Sequence, residues 1–261
     1  MSVNPEPDLD GGSDSPVEKQ SLIGCGTVLT MMGIGAVLVA LMLPSVQRGR
    51  EVPRRSQCRN NLRQIARALL SYEYQHHALP PAYTVDVDGK PLHSWRTLIL
   101  PYLDHAPLYN SIDLSKPWDD PANEAAFNTH VAVFDCPSDS GLRDPTTSSG
   151  PRNYTTYLAS VGPNACFRLT EPRLLSEITD GTPNTLMLIE VASDQAVPWM
   201  SPQDADEAMI MSIPAHPKLT HTGGTHAALC DGSVQFLSNA MPAATRRALI
   251  SIAGKDTVGD F

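Results

Sequence analysis

Residues Ser21–Leu43 read SLIGCGTVLTMMGIGAVLVALML, and no charged side chain occurs between Lys19 and Arg48. About 23 residues of this kind form a helix roughly 35 Å long, enough to cross a hydrocarbon layer of about 30 Å. A signal-peptide core is shorter, about 7–15 apolar residues, and no small-x-small cleavage site precedes Pro44. The segment is therefore expected to be a retained transmembrane helix over residues 21–43. Ahead of it, residues 1–20 carry Glu6, Asp8, Asp10, Asp14 and Glu18, with no base before Lys19, among Pro, Gly and Ser. That composition predicts a disordered acidic tail.

Beyond the span the helical pattern resumes. Cys58, Leu62, Ile65, Ala66, Leu69 and Leu70 form one apolar stripe at helical spacing, while Arg59, Arg63 and Arg67 step along another face. Pro44 and Pro53 can each kink the helix, and Pro80-Pro81 ends it. Residues 44–79 are thus read as an amphipathic continuation of the membrane helix. The expected helix is about 50 residues long, or roughly 75–80 Å, half in lipid and half under a soluble domain over 80–261.

Several elements are legible in that domain. Trp95, Leu98, Ile99, Tyr102 and Leu103 show helical spacing after a Ser94 N-cap, with Pro101 limiting regularity. Residues 116–153 are rich in Pro, Asp and Ser, with one short apolar run at Val131–Phe134. Thr185–Ile189 is a continuous apolar strand suited to the middle of a sheet. Two apolar runs, His226–Cys230 and Val234–Leu237, flank Asp231-Gly232, a strong local hairpin signal. A helix near Ala243–Ile252 closes the chain. The fold class is α+β: a long N-terminal helix packed on a small antiparallel sheet, with the long irregular loops implied by 23 prolines and 17 glycines.

A net charge of −9 argues against a nucleic-acid binder, which needs a basic face to neutralise phosphates. Five cysteines occur: Cys25 in the span, then Cys58, Cys136, Cys166 and Cys230, none in a CxxC pair. The last four could form one or two disulfides on an oxidising side, and three full pairings remain open; buried free thiols are the alternative. Leu22-Ile23-Gly24-Cys25 resembles a lipobox, but its apolar region follows the cysteine instead of preceding it.

His216, His221, His226 and Asp231 are spaced by five. Such steps place side chains on neither one helix face nor one strand face. The favoured reading is therefore that His221 bonds across the Gly223-Gly224 turn and supports the Asp231-Gly232 hairpin, with no metal bound. Asp135, Asp139 and Asp144 do not match the EF-hand pattern, so Asp139 in Cys136-Pro137-Ser138-Asp139 reads as a turn residue. No GxSxG or phosphate-loop pattern appears, and Gly33-Ile34-Gly35 lies inside the span. No cofactor and no enzymatic activity are expected.

Several phrases together resemble the bacterial domain of unknown function 1559 family. They are LMLPSVQRGREVPRRSQCRNNLRQIARALLSYEYQHHALPPAY, SWRTLILPYLDHAPLY, FDCPSD, NYTTYLASVG, ITDGTPNTLMLIE and VPWM, in that order. His221, nine residues, then Asp231-Gly232 is similar to the H-x9-DG motif of prepilin-type processing-associated domains. The resemblance covers roughly residues 40–240. It implies a pilin- or pseudopilin-like architecture and a structural role for His221, Asp231 and Gly232. Prepilin peptidase substrates carry a glutamate shortly after the cut, and Gly24 stands where it would fall. An uncleaved anchor is the expectation.

Topology signals conflict. Arg48, Arg50, Arg54, Arg55 and Arg59 follow the span and only Lys19 precedes it, which by the positive-inside rule puts the domain in the cytoplasm. The resemblance and the cysteines favour export, with the arginines resting against lipid headgroups. The expectation is therefore a single-pass protein of the inner (cytoplasmic) membrane, its domain on the periplasmic side. Its partners would be the bilayer and other pilin-like subunits or copies of itself, with Gly33, Ala36 and Ala40 available for helix packing. A membrane-anchored binding module for an exported peptide, polysaccharide or divalent ion is the alternative.

Overall fold

The computed structural model describes residues 53–138 and 153–255, together with Met32, which is helical and exposed. The chain divides into two compact units, Met1–Arg48 and Gly49–Phe261. The expected acidic tail, lipobox and transmembrane helix fall outside the described residues, apart from Met32. No helix among the described residues is long and apolar enough to cross a membrane.

Helix α1 runs over residues 53–76. Its stripe is buried as the spacing demands: Cys58, Leu62, Ile65, Ala66 and Leu69 are all at 0% exposure, while Arg59 and Arg67 are exposed. The helix ends before Pro80. His77 takes a left-handed conformation (φ 60°), and Leu79 leaves to pair with Arg173 through two backbone hydrogen bonds. A residue preceding proline is pushed out of the helical region, which assists that departure.

Strand β1 (Tyr83–Val85) pairs with β2 (Pro91–Ser94). The Ser94 N-cap is confirmed, because its hydroxyl accepts from the Arg96 N–H at the start of α2 (Trp95–Leu98). A 3₁₀ turn at Leu100–Leu103 follows, with Pro101 in its first turn. Short helices α3 (Ala106–Asn110) and α4 (Glu124–Phe127) precede a 3₁₀ turn at Ala132–Phe134, where the apolar run falls.

The main sheet holds four antiparallel strands in the order β4 (Tyr157–Ala159), β5 (Leu186–Glu190), β7 (Gly224–Leu229), β8 (Val234–Ser238). A small ribbon pairs β3 (Tyr154–Thr155) with β6 (Val197–Pro198). The expected hairpin is present, Gly232 adopting φ 82° in its turn. Strand β5 is buried along its whole length, as a central strand should be.

The sheet separates two apolar layers. Tyr157, Ala159, Met187, Leu188, Ala228 and Cys230 join the α1 stripe on one side. On the other, Leu158, Leu186, Ile189, Ala227 and Leu229 pack with Ile210 of α5 (Glu207–Ser212) and with Leu249 and Ile250 of α6 (Ala243–Ile250). The α+β class with small antiparallel sheets is therefore observed.

Candidate functional site

The polar centre of the molecule lies in the layer between α1 and the sheet, and a break in strand β5 puts it there. In a regular strand residues 186, 188 and 190 share one face. Here Leu186 packs in the far layer and Leu188 against α1, because the register with β7 shifts between Leu186 and Leu188. A bulge of this kind re-aims every side chain beyond it, so Glu190 turns toward α1. His226, two residues before Ala228 on β7, lies on that same face.

Glu190 is fully buried. Its Oε2 lies 3.2 Å from His221 Nε2 and 3.3 Å from His226 Nδ1. The two imidazoles meet edge to face, with centroids 4.7 Å apart and planes at 84°. Phe236, directly opposite His226 on β8, packs its ring against His226, and the Arg55 guanidinium of α1 sits 3.7 Å over that ring. Thr225 donates to the Glu190 carbonyl. Gly224 leaves no room for a side chain here, since an added Cβ would strike the Leu237 carbonyl and come within 2.9 Å of Phe236 Cε1.

Burial by itself would push the Glu190 carboxyl up, but hydrogen bonding and charge from His221 and His226 outweigh it and hold the group below the usual carboxylate range. Glu190 is thus held as an anion. Its second oxygen, Oε1, has no accessible surface and accepts no hydrogen bond among the described residues.

A disulfide adjoins this anion. Cys58 of α1 and Cys136 are joined, their Cα atoms 5.2 Å apart across 78 residues of sequence. Asn61, one turn along α1, donates to the Asp135 carbonyl at 2.9 Å and fixes the same junction. Both sulfurs, one Glu190 oxygen and one His221 ring nitrogen all lie within 4.8 Å of one another.

Of the three pairings open to the four cysteines, the structure selects Cys58 with Cys136. Cys166 and Cys230 are free, buried and 3.1 Å apart at sulfur, and burial pushes the Cys230 thiol well up.

The residues spaced by five do not act as one group. His216 pairs with Asp194 at 3.3 Å. Asp231 is exposed and caps its own turn by accepting from the Ser233 N–H. His221 and Asp231 flank opposite ends of β7, separated by roughly 20 Å of strand. His221 does pair with Gly224 through its backbone, but its side chain serves Glu190 and not the Asp231-Gly232 turn. His221 and His226 converge because the chain reverses at Gly223 (φ 86°) between them. Five-residue steps keep side chains apart only along one unbroken element, and that turn breaks it. Among the calcium candidates, Asp135 pairs with His130, while Asp139 and Asp144 lie outside the described residues.

Sequence reasoning missed Glu190. The available signal was an acid closing a wholly apolar strand, where a buried charge needs partners.

A second buried pair braces the fold. The fully buried Arg96 donates to Asp204 at 2.6 Å and to the Tyr157 carbonyl, and Asp204 also accepts from Trp95 and from the Ala159 N–H. It ties α2, β4 and the chain before α5 together. On the surface, Trp118 and Phe127 meet edge to face at 5.4 Å and line a cleft of about 390 Å³ with Asp119, Asp120, Pro121 and Glu124.

An α+β domain with a helix-covered antiparallel sheet and a sealed Glu–His–disulfide centre is the class of protein defined here. Residues 47–218 match the family model described as protein of unknown function (DUF1559), and the chain belongs to that family. The matched span holds Cys58, Cys136 and Glu190 and ends before His221. No curated protein and no solved structure matches the chain.

Proposed function

We propose that the chain is a single-pass, pilin-like membrane protein with a structural or assembly role, its domain exported across the inner membrane. The observation that carries this reading is the packing of α1. One face, Cys58 to Leu69, is buried against a small antiparallel sheet, and the N-terminal end of α1 follows the uncharged segment in sequence. The polar centre favours a structural role over a catalytic one, because Glu190 and His221 side chains are 0% and 1% exposed. Small residues in the span would pack against neighbouring copies or other pilin-like subunits.

Crosslinking the full-length protein in native membranes tests this reading; a self-complex of fixed stoichiometry is expected, and a monomer at every crosslinker dose overturns it. Orientation needs a reporter on the surface. Cys136 and Cys230, the natural choices from the sequence, are buried, whereas Val87 is 102% exposed. A Val87→Cys variant should react with a membrane-impermeant maleimide in spheroplasts. Reaction only after membrane disruption would place the domain in the cytoplasm.

One observation favours the alternative, an anchored polysaccharide-binding module. The Trp118 cleft combines an aromatic face with carboxylates at its rim, the surface chemistry that stacks on and hydrogen-bonds to sugars. Saturable polysaccharide binding by a monomer, lost in Trp118→Ala, would support it over assembly.

A further inference from the structure

We propose that the Cys58–Cys136 disulfide is the oxidised form of a zinc site, and that reduction converts the cluster into four ligands: Cys58 Sγ, Cys136 Sγ, Glu190 and His221. The inference goes beyond the anchored-protein reading and does not depend on it.

Three observations converge. The ligand atoms already lie within 4.8 Å of one another. Zinc bonds of about 2.3 Å to sulfur and 2.0–2.2 Å to nitrogen or oxygen place tetrahedral ligands about 3.3–3.8 Å apart, so the group needs only a modest contraction once the sulfurs part. Glu190 Oε1 is buried without a donor, an acceptor left over within the cluster. Finally, His226 Nδ1 at 3.3 Å from Glu190 supplies the outer partner that orients a ligating carboxylate. Two thiolates with an imidazole and a carboxylate form a donor set suited to zinc.

The chemistry balances with a dithiol as reductant. Its thiolate attacks the Cys58–Cys136 bond, a mixed disulfide forms, and its second thiol closes the reductant's own disulfide. Two electrons and two protons pass to Cys58 and Cys136. Zinc then displaces one proton from each thiol and leaves Glu190 anionic, so each metal bound releases two protons. Exchange in reverse with the disulfide form of that dithiol takes the two electrons back, re-forms the Cys58–Cys136 bond and releases the ion.

The test uses the full-length protein in detergent micelles with Co²⁺ as the probe. Reduced protein, freed of reductant without oxygen, should bind one Co²⁺ per chain, showing thiolate-to-cobalt charge-transfer bands and tetrahedral d–d bands. The oxidised protein should bind none. Cys58→Ser with Cys136→Ser should abolish the bands, and Cys166→Ser with Cys230→Ser should keep them. His226→Ala should weaken binding by about 10–100-fold, and Glu190→Gln, which removes a ligand, by at least as much. A folded, reduced chain that binds no Co²⁺ overturns the proposal, as does a signal that follows Cys166 and Cys230. Should reduction unfold the chain, recovery of protease resistance on adding Zn²⁺ supports the site, and no recovery overturns it.

Discussion

At the scale of single residues, the buried acids behave oppositely because their neighbours differ. Glu190 faces two imidazoles and is held low, whereas burial pushes Asp204 from its ordinary 3.8 up to about 6, against the pull of Arg96, the Ala159 N–H and Trp95. The folded chain therefore binds the Asp204 proton more tightly than the unfolded one. The resulting stability is fully present below pH 3.8, falls as pH rises through about 6 and is constant above. An Asp204→Asn variant lacks this dependence. In denaturant titrations the advantage of wild type over the variant should grow between pH 7 and pH 4, by on the order of 3 kcal/mol at about 1.4 kcal/mol per pKa unit. An advantage that stays level or shrinks over that interval would refute the assignment. Residue-scale detail was the least legible part of the sequence. Glu190 reaches its partners through a bulge, and His226 meets His221 through a turn; neither leaves a periodic signature.

At the scale of elements, regular patterns translated directly into structure. The α1 stripe, the Ser94 cap, the central strand and the Asp231-Gly232 hairpin each rest on local geometry: periodicity, a side-chain cap, or a turn that only certain residues accept. Helix α1 ends at residue 76, short of the expected 79, because a long-range pairing of Leu79 with Arg173 competes with the last helical turn. The stripe also carries a prediction. Changing Ile65, at 0% exposure, to Asp places a charge in the apolar layer with no partner, which should cost several kcal/mol. Limited proteolysis should then cut the domain at protease concentrations that leave wild type intact, whereas Leu70→Asp, on a half-buried position, should have a smaller effect. Equal resistance in wild type and Ile65→Asp would mean that α1 is not held by that face.

For the molecule as a whole, the disulfide is the covalent long-range constraint among the described residues. It closes 78 residues of chain, and loop-closure entropy for that length is worth about 4–5 kcal/mol at 25 °C. Reduced, metal-free protein should lose stability of that order in urea titration, and Cys166→Ser with Cys230→Ser should not reproduce the loss. The pairing was beyond sequence reasoning because it depends on where Asp135-Cys136 crosses α1, which the Asn61 contact fixes only in three dimensions.

That covalent junction also decides how the domain carries load. A pull applied between residue 53 and the C-terminal end of the chain reaches Cys58 within two turns of α1 and passes through sulfur to Cys136. The intervening residues 59–135, including most of α1, all of α2 and the first ribbon, are bypassed and feel no tension. In single-molecule stretching, the oxidised domain should extend less on unfolding than the reduced one, by about 260–280 Å at 3.3–3.6 Å per residue. A protein held in a membrane at one end and engaged at the other would thus have a redox-set limit on how far it can be drawn out.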